Sequence, residues 1–306
     1  MPIAIKKIAF KIAKWVGIVL GSVIVIAIGI SAFVYIQFER DLNRTYTVAE
    51  SNLQIPAPDS LILARGKRVV ELHHCNGCHT ESLKGHTFEM PDYFGALSPA
   101  NLTSGKGGIG NAYTDADWIR SIRHGVRADG KSLLVMPTEE FSKIGREDLQ
   151  ALIAYLKSVP PEDNELPPNE LKLLGRLMIT LTTDFNIFSA SKIDHNIALS
   201  EVPEKAITLE FGTYMVQTCK GCHGEDLHGQ PLGGTNGVSS TNIMALDEWS
   251  AEDFGRAVRE GVRPNGDSLL VNMPRWSMLD ELEINAIWFY IQEQKKLNEG
   301  AGSAAL

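Results

Sequence analysis

A chain of 306 residues is long enough for two domains of ordinary size. Its formal net charge is −8, but residues 1–36 hold four lysines and no acid, so the remainder carries 25 basic against 37 acidic residues. That acidic body speaks against nucleic acid and anionic lipid as its partners, and suits either a partner with a basic face or plain solubility.

From Trp15 to Phe38 no residue is charged, and the run is almost wholly apolar. At about 1.5 Å per helical residue it exceeds 30 Å, enough to cross a hydrocarbon core. Lys6, Lys7, Lys11 and Lys14 precede it and Glu39, Arg40 and Asp41 follow, so the positive-inside rule places the N-terminus in the cytoplasm and the rest outside. A cleaved signal peptide would have a shorter apolar core ending in small residues, so an uncleaved anchor over 1–38 is expected. Gly17 and Gly21 form a G-x-x-x-G that is more often incidental than a dimer contact. Residues 39–60, with Pro56 and Pro58, predict an extended tether.

A helix over Leu61–His74 then leads into Cys75-Asn76-Gly77-Cys78-His79. The Gly105–Gly110 cluster lacks the strand-to-helix setting and Lys-Ser/Thr ending of a nucleotide loop. Thr114 predicts an N-cap, with Asp115 and Asp117 in the first turn and a stop at Gly125. Another helix spans 146–158, ended by Pro160 and Pro161. Residues 161–204 open with prolines and turn apolar over 171–181, which predicts a partly helical connector lying across a domain surface.

The same order of features then recurs. Cys219-Lys220-Gly221-Cys222-His223 repeats the first motif, Ile122 to Gly130 matches Val258 to Gly266, and Ser132-Leu133-Leu134-Val135 matches Ser268-Leu269-Leu270-Val271. Phe141 lies opposite Trp276 and Tyr155 opposite Tyr290, so one domain is duplicated as 61–160 and 205–298, with a tail at 299–306.

All four cysteines lie in the two C-x-x-C-H runs. A zinc site would need the pairs close in sequence; a thioredoxin-like pair or local disulfides would not explain His directly after the second Cys, twice. The spacing is that of haem c attachment, with Cys75, Cys78, Cys219 and Cys222 bonded to two haems and His79 and His223 bound to iron. Haem c is attached outside the bacterial cytoplasm, which predicts an inner-membrane protein with its haem domains in the periplasm.

A carrier of electrons needs a sixth iron ligand. Met136-Pro137 and Met273-Pro274 follow the histidines by 57 and 50 residues, each ahead of a closing helix, and Pro favours an extended loop there. Packing is the ordinary role of Met, but Met90 is too near His79 and Met278 aligns with Lys143. His124 aligns with Glu260, while His86, His195 and His228 are expected at the surface. Arg123, Arg127, Arg259 and Arg263, with Asn101 and Asn242, are candidates for haem propionate contacts, against the plainer role of solvated helix surface for the arginines.

With these motifs the chain after residue 60 resembles class I c-type cytochromes in two copies. That resemblance implies an all-α fold, an N-terminal transmembrane helix followed by two class I cytochrome c domains, with Tyr155 and Tyr290 packing near Gly66 and Gly212. Asn101-Leu102-Thr103, Gly125-Val126-Arg127 with Asp129-Gly130, and the Pro-rich connector look like haem subunits of membrane-bound periplasmic dehydrogenases, which typically carry three haem domains and often a C-terminal anchor. The resulting expectation is a membrane-anchored dihaem electron carrier, not an enzyme, working between a dehydrogenase or quinol-oxidising complex and a terminal oxidase. The alternative is a dihaem redox enzyme such as a peroxidase, with one iron open to substrate.

Overall fold

The computed structural model describes residues 2–49, 53–88, 90–181, 186–231 and 239–303, with side chains from 7 to 298. Residues 50–52 of the expected tether and 304–306 of the expected tail therefore lie outside the described residues. In chain order the elements are α1 (Pro2–Leu42), α2 (Ser60–Leu72), α3 (Cys75–His79), β1 (Gly95–Ala96), α4 (Asp115–His124), α5 (Thr138–Phe141), α6 (Arg146–Ser158), β2 (Glu170–Leu171), α7 (Leu173–Leu181), α8 (Leu209–Met215), α9 (Gln217–His223), α10 (Ala251–Glu260) and α11 (Glu281–Ser303). The described protein is thus mostly helical, and it divides into two compact units.

The first unit comprises Met1–Arg44, Phe88–Leu97 and Pro168–Ile187. Within α1, Lys7–Leu42 is long and apolar enough to cross a membrane, and its side chains from Trp15 to Val25 are exposed in the protein alone. At its base Val34 and Phe38 are buried. Arg176 of α7 lies over the Tyr35 and Phe38 rings, donates to Glu39 Oε1 at 2.8 Å and to the Leu171 carbonyl at 2.6 Å. The expected connector is partly helical: α7 packs on the base of α1 through this arginine. The two-residue strands β1 and β2 pair antiparallel, Gly95 opposite Leu171.

The second unit comprises Thr45–Thr87, Ser98–Pro167 and Phe188–Leu306, and so contains both C-x-x-C-H motifs. Two apolar clusters fill it. One gathers Val69, Val70, Trp118, Ile122, Leu149 and Ile153; the other Phe211, Phe254, Trp276, Ile284, Ile287 and Tyr290. Helix pairs α2/α6 and α8/α11 frame them, and each pair crosses at a glycine. A Cβ on Gly66 would strike the Ala151 carbonyl and lie 2.5 Å from Tyr155 Cβ; one on Gly212 would strike Ala286 and lie 2.9 Å from Tyr290 Cβ. Backbones therefore meet at van der Waals distance where the sequence pairs these residues.

Sequence signals set most of these ends. Asp59 caps α2, accepting from the Leu61 and Ile62 amides at 2.9 and 2.8 Å, while Thr114 with Asp117 and Ser250 with Asp253 form capping boxes on α4 and α10. Gly125 and Gly261 end those helices at φ of 63° and 77°. The helix expected to reach His74 stops at Leu72, because His74 turns left-handed at φ 52° and starts a new helical turn. The Gly105–Gly110 cluster seats the start of the connector: the Lys106 amide donates to Asp163 at 2.7 Å and the Asn164 amide to the Lys106 carbonyl at 2.9 Å.

Candidate haem sites

Each C-x-x-C-H is helical, which puts the two Cys three positions apart and the His four after the first Cys, all on one face. His79 Nδ1 lies 2.8 Å from the Ala100 carbonyl and His223 Nδ1 lies 2.7 Å from the Thr241 carbonyl. A carbonyl can only accept, so in each ring the proton sits on Nδ1 and the lone pair on Nε2. Burial holds both imidazoles below their ordinary pKa, opposed by those carbonyls, so both are neutral at pH 7. A neutral imidazole with Nδ1 anchored and Nε2 free is the arrangement of a metal-ligating histidine.

The carbonyls arrive through the same folded loop twice. The Gly85 amide donates to the His79 carbonyl at 2.8 Å and Leu102 to Leu83 at 2.8 Å; the Gly229 amide donates to the His223 carbonyl at 2.8 Å and Ile243 to Leu227 at 2.9 Å. Leu83 and Leu227 both adopt positive φ, 59° and 62°. For a bulky side chain that backbone is disfavoured and persists only where the surroundings fix it, here with both leucines almost fully buried.

None of the four cysteines is in a disulfide. Burial, reinforced by the Glu140 carboxylate, pushes the Cys75 and Cys219 thiols up to about 12. Such thiols are protonated at neutral pH. Cys75 and Met136 pack on the first apolar cluster, Cys219 and Met273 on the second. Apolar walls, thiols at the edge, an Nε2 lone pair and a thioether fit one haem c in each half, and bound there it would supply an iron that cycles by one electron.

Both methionines leave a matching loop. The Leu133 amide donates to the Gly125 carbonyl at 2.6 Å and Leu269 to Gly261 at 2.7 Å, with bridges Val126 to Ser132 and Val262 to Ser268. Val135, immediately before Met136, has φ 69°, a strained conformation for a β-branched residue.

The residues considered for propionates sit in different settings. Arg123 is buried and donates to the Ile197 and Ala198 carbonyls at 3.2 and 3.3 Å, and Arg127 pairs with Asp129. Arg259 donates to Leu279 at 2.8 Å and Glu281 at 2.7 Å, while no side-chain partner of Arg263 is found among the described residues. Asn101 bridges the Glu162 carbonyl and the Thr103 amide, and Asn242 accepts from the Met244 amide. Among the described residues, Arg123 Nε, Arg259 Nη2 and the indole nitrogen of Trp118 are buried donors without a partner, a state that Arg120 Nε and Arg256 Nε share. Trp118 was not singled out in the sequence, since its counterpart is Phe254 and the pairing carries no polar signal. Among the other histidines, His124 faces His195, Nδ1 to Nδ1 at 3.3 Å, and His228 faces Asp226.

The two halves meet at the motifs. The Leu72 carbonyl accepts from Trp276 Nε1 at 2.8 Å and Thr218 Oγ1 at 2.7 Å, and Arg68 binds Glu283 at 2.5 Å and the Met278 carbonyl at 2.9 Å. Glu140 of α5 bonds His73 Nδ1 at 2.8 Å, and its other oxygen would lie 2.9 Å from a Cβ on Gly221. One carboxylate from the first methionine loop therefore stands beside both attachment motifs. No sequence pattern marks Glu140, because it pairs residues far apart in the chain.

Paired thiols, an anchored histidine and a methionine loop on an apolar core define a c-type cytochrome. The cytochrome c family model matches residues 63–160. The cytochrome c subunit of the quinone-dependent alcohol dehydrogenase of Gluconacetobacter polyoxogenes is 31% identical over 241 residues, covering 73% of this chain and 47% of that protein. The gluconate 2-dehydrogenase cytochrome c subunit of Pantoea cypripedii is 32% identical over 222 residues, 67% of this chain and 48% of its own length, and the fructose dehydrogenase cytochrome subunit of Gluconobacter japonicus is 32% identical over 116 residues, 36% and 24%. The chain is a c-type cytochrome similar to dehydrogenase cytochrome subunits, and it spans about half the length of the first of these relatives.

Proposed function

We propose that this protein is a membrane-anchored dihaem cytochrome c that passes single electrons on the periplasmic side from a dehydrogenase to a respiratory acceptor. The observation that carries the reading is the doubled site: His79 and His223 are held by the same loop hydrogen bonds, with Met136 and Met273 on the matching cores. His79 with Met136 and His223 with Met273 hold the irons, and the thioethers of Cys75, Cys78, Cys219 and Cys222 fix the rings. Glu140, reaching both motifs, supports haems near enough for direct exchange. Arg123 and Arg259 each keep a nitrogen unpartnered among the described residues, available for propionates; Arg127, Arg263, Asn101 and Asn242 are weaker contacts of the same kind. The apolar α1 supports the anchor, and dehydrogenase-named relatives support the donor.

Covalent haem per chain, measured by mass and alkaline haemochrome absorbance, is the direct test. Two haems are expected, one after Cys219→Ala with Cys222→Ala; a single haem in the unaltered protein would overturn the dihaem reading. Met136→His and Met273→His should each lower one midpoint potential and leave the other in place.

A further inference from the structure

The two methionine loops present the same pair of backbone carbonyls, and different groups satisfy them. In the first half the Ser189 amide donates to the Leu133 carbonyl at 3.0 Å and its hydroxyl donates to the Met136 carbonyl at 2.7 Å. In the second, Arg275 Nη2 donates to the Leu269 carbonyl at 3.2 Å and Nη1 to the Met273 carbonyl. Leu133 and Leu269 occupy matching positions, and the glycine before each loop leaves room for its clamp. A Cβ on Gly125 would lie 2.8 Å from Ser189 Cβ, and one on Gly261 would strike the Arg275 guanidinium.

We infer that Ser189 and Arg275 are positioning residues of equivalent role, each holding the loop that carries one axial methionine. The inference rests on Met136 and Met273 as iron ligands. A partner that fixes a ligand's backbone fixes where its side chain can reach, and changing the outer partners of metal ligands typically costs roughly 10- to 100-fold in metal affinity or activity.

The clamps differ in source and charge. Ser189 is fully buried, neutral, and belongs to the connector 53 residues beyond Met136; its neighbours tie in as well, with the Ala190 amide on Ser132 Oγ at 3.0 Å and a bridge from Phe188 to Leu134. Arg275 is exposed, cationic, and two residues beyond Met273. The first ligand thus depends on a distant strap and the second on a local cation. Loss of Arg275 should also lower the potential of its haem by removing positive charge, an effect that neutral Ser189 cannot have.

The test uses the full-length, haem-loaded protein in detergent, reading the methionine-to-iron absorption band of the oxidised form against rising pH. In a Met273→His background only the first haem gives the band, and in a Met136→His background only the second. Ser189→Ala in the former and Arg275→Ala in the latter should each weaken methionine ligation about tenfold or more. Ser189→Thr and Arg275→Lys should restore most of it, with helix content unchanged by circular dichroism. Bands that survive Ser189→Ala and Arg275→Ala unchanged, or losses that the conservative variants do not rescue, would overturn the clamp while leaving the ligands in place. A protein that shows no such band before substitution would overturn the ligand assignment and the clamp with it.

Discussion

A side chain on Gly66 or Gly212 would have to push apart two backbones that touch. Gly66→Ala and Gly212→Ala are each expected to destabilise the protein by about 1–3 kcal/mol, read as a lower midpoint in thermal unfolding. The buried His124 makes a separate prediction. Burial, with Arg123 and His195 adding to it, lowers its pKa from 6.5 to about 4, and Tyr46 packs on the far side of His195. Between pH 6.5 and 4 the unfolded chain binds the proton that the folded one refuses, so this contribution is complete above 6.5 and is lost as pH falls, by at most about 3 kcal/mol. His124→Gln should flatten that acid limb in unfolding measurements, and an unchanged limb would assign it to other groups.

At the scale of elements, α4 and α10 begin with the same reciprocal cap. Thr114→Ala or Ser250→Ala should cost about 1 kcal/mol each, measured by denaturant unfolding. Asp117 is held below its ordinary pKa: burial opposes this, but hydrogen bonds from Thr114 and Arg120 prevail. Its stabilisation is present above the ordinary carboxylate pKa and is lost as pH falls through the depressed value, so Thr114→Ala should matter less in strong acid. Within the connector, Arg176 anchors α7 to α1 through Glu39 and two aromatic rings.

At the largest scale, both C-x-x-C-H halves lie in one compact unit, and the Leu72 carbonyl joins them by accepting from both Trp276 and Thr218. Trp276→Phe removes one donor and Arg68→Met leaves Glu283, 5% exposed at its side chain, without that partner. The second change should cost about 1.5–3 kcal/mol, the loss of a charged hydrogen bond, because Lys205 at 3.1 Å and the Asp280 amide at 2.9 Å still pair with Glu283. Differential scanning calorimetry would read a lower midpoint, and separate melting of two halves if the joint carries their cooperativity.

The sequence by itself determined what is local: the cap at Thr114, the stop at Gly125, the C-x-x-C-H spacing and the apolar span. Each depends on residues a few positions apart, whose spacing alone fixes their geometry. Tertiary structure decided what joins distant residues: Ala100 and Thr241 as the carbonyls that orient His79 and His223, Glu140 between the two motifs, the orphaned Trp118 indole, and α7 on α1. A backbone carbonyl leaves no mark in a sequence, and a contact across more than sixty residues exists only once packing has fixed which surfaces meet.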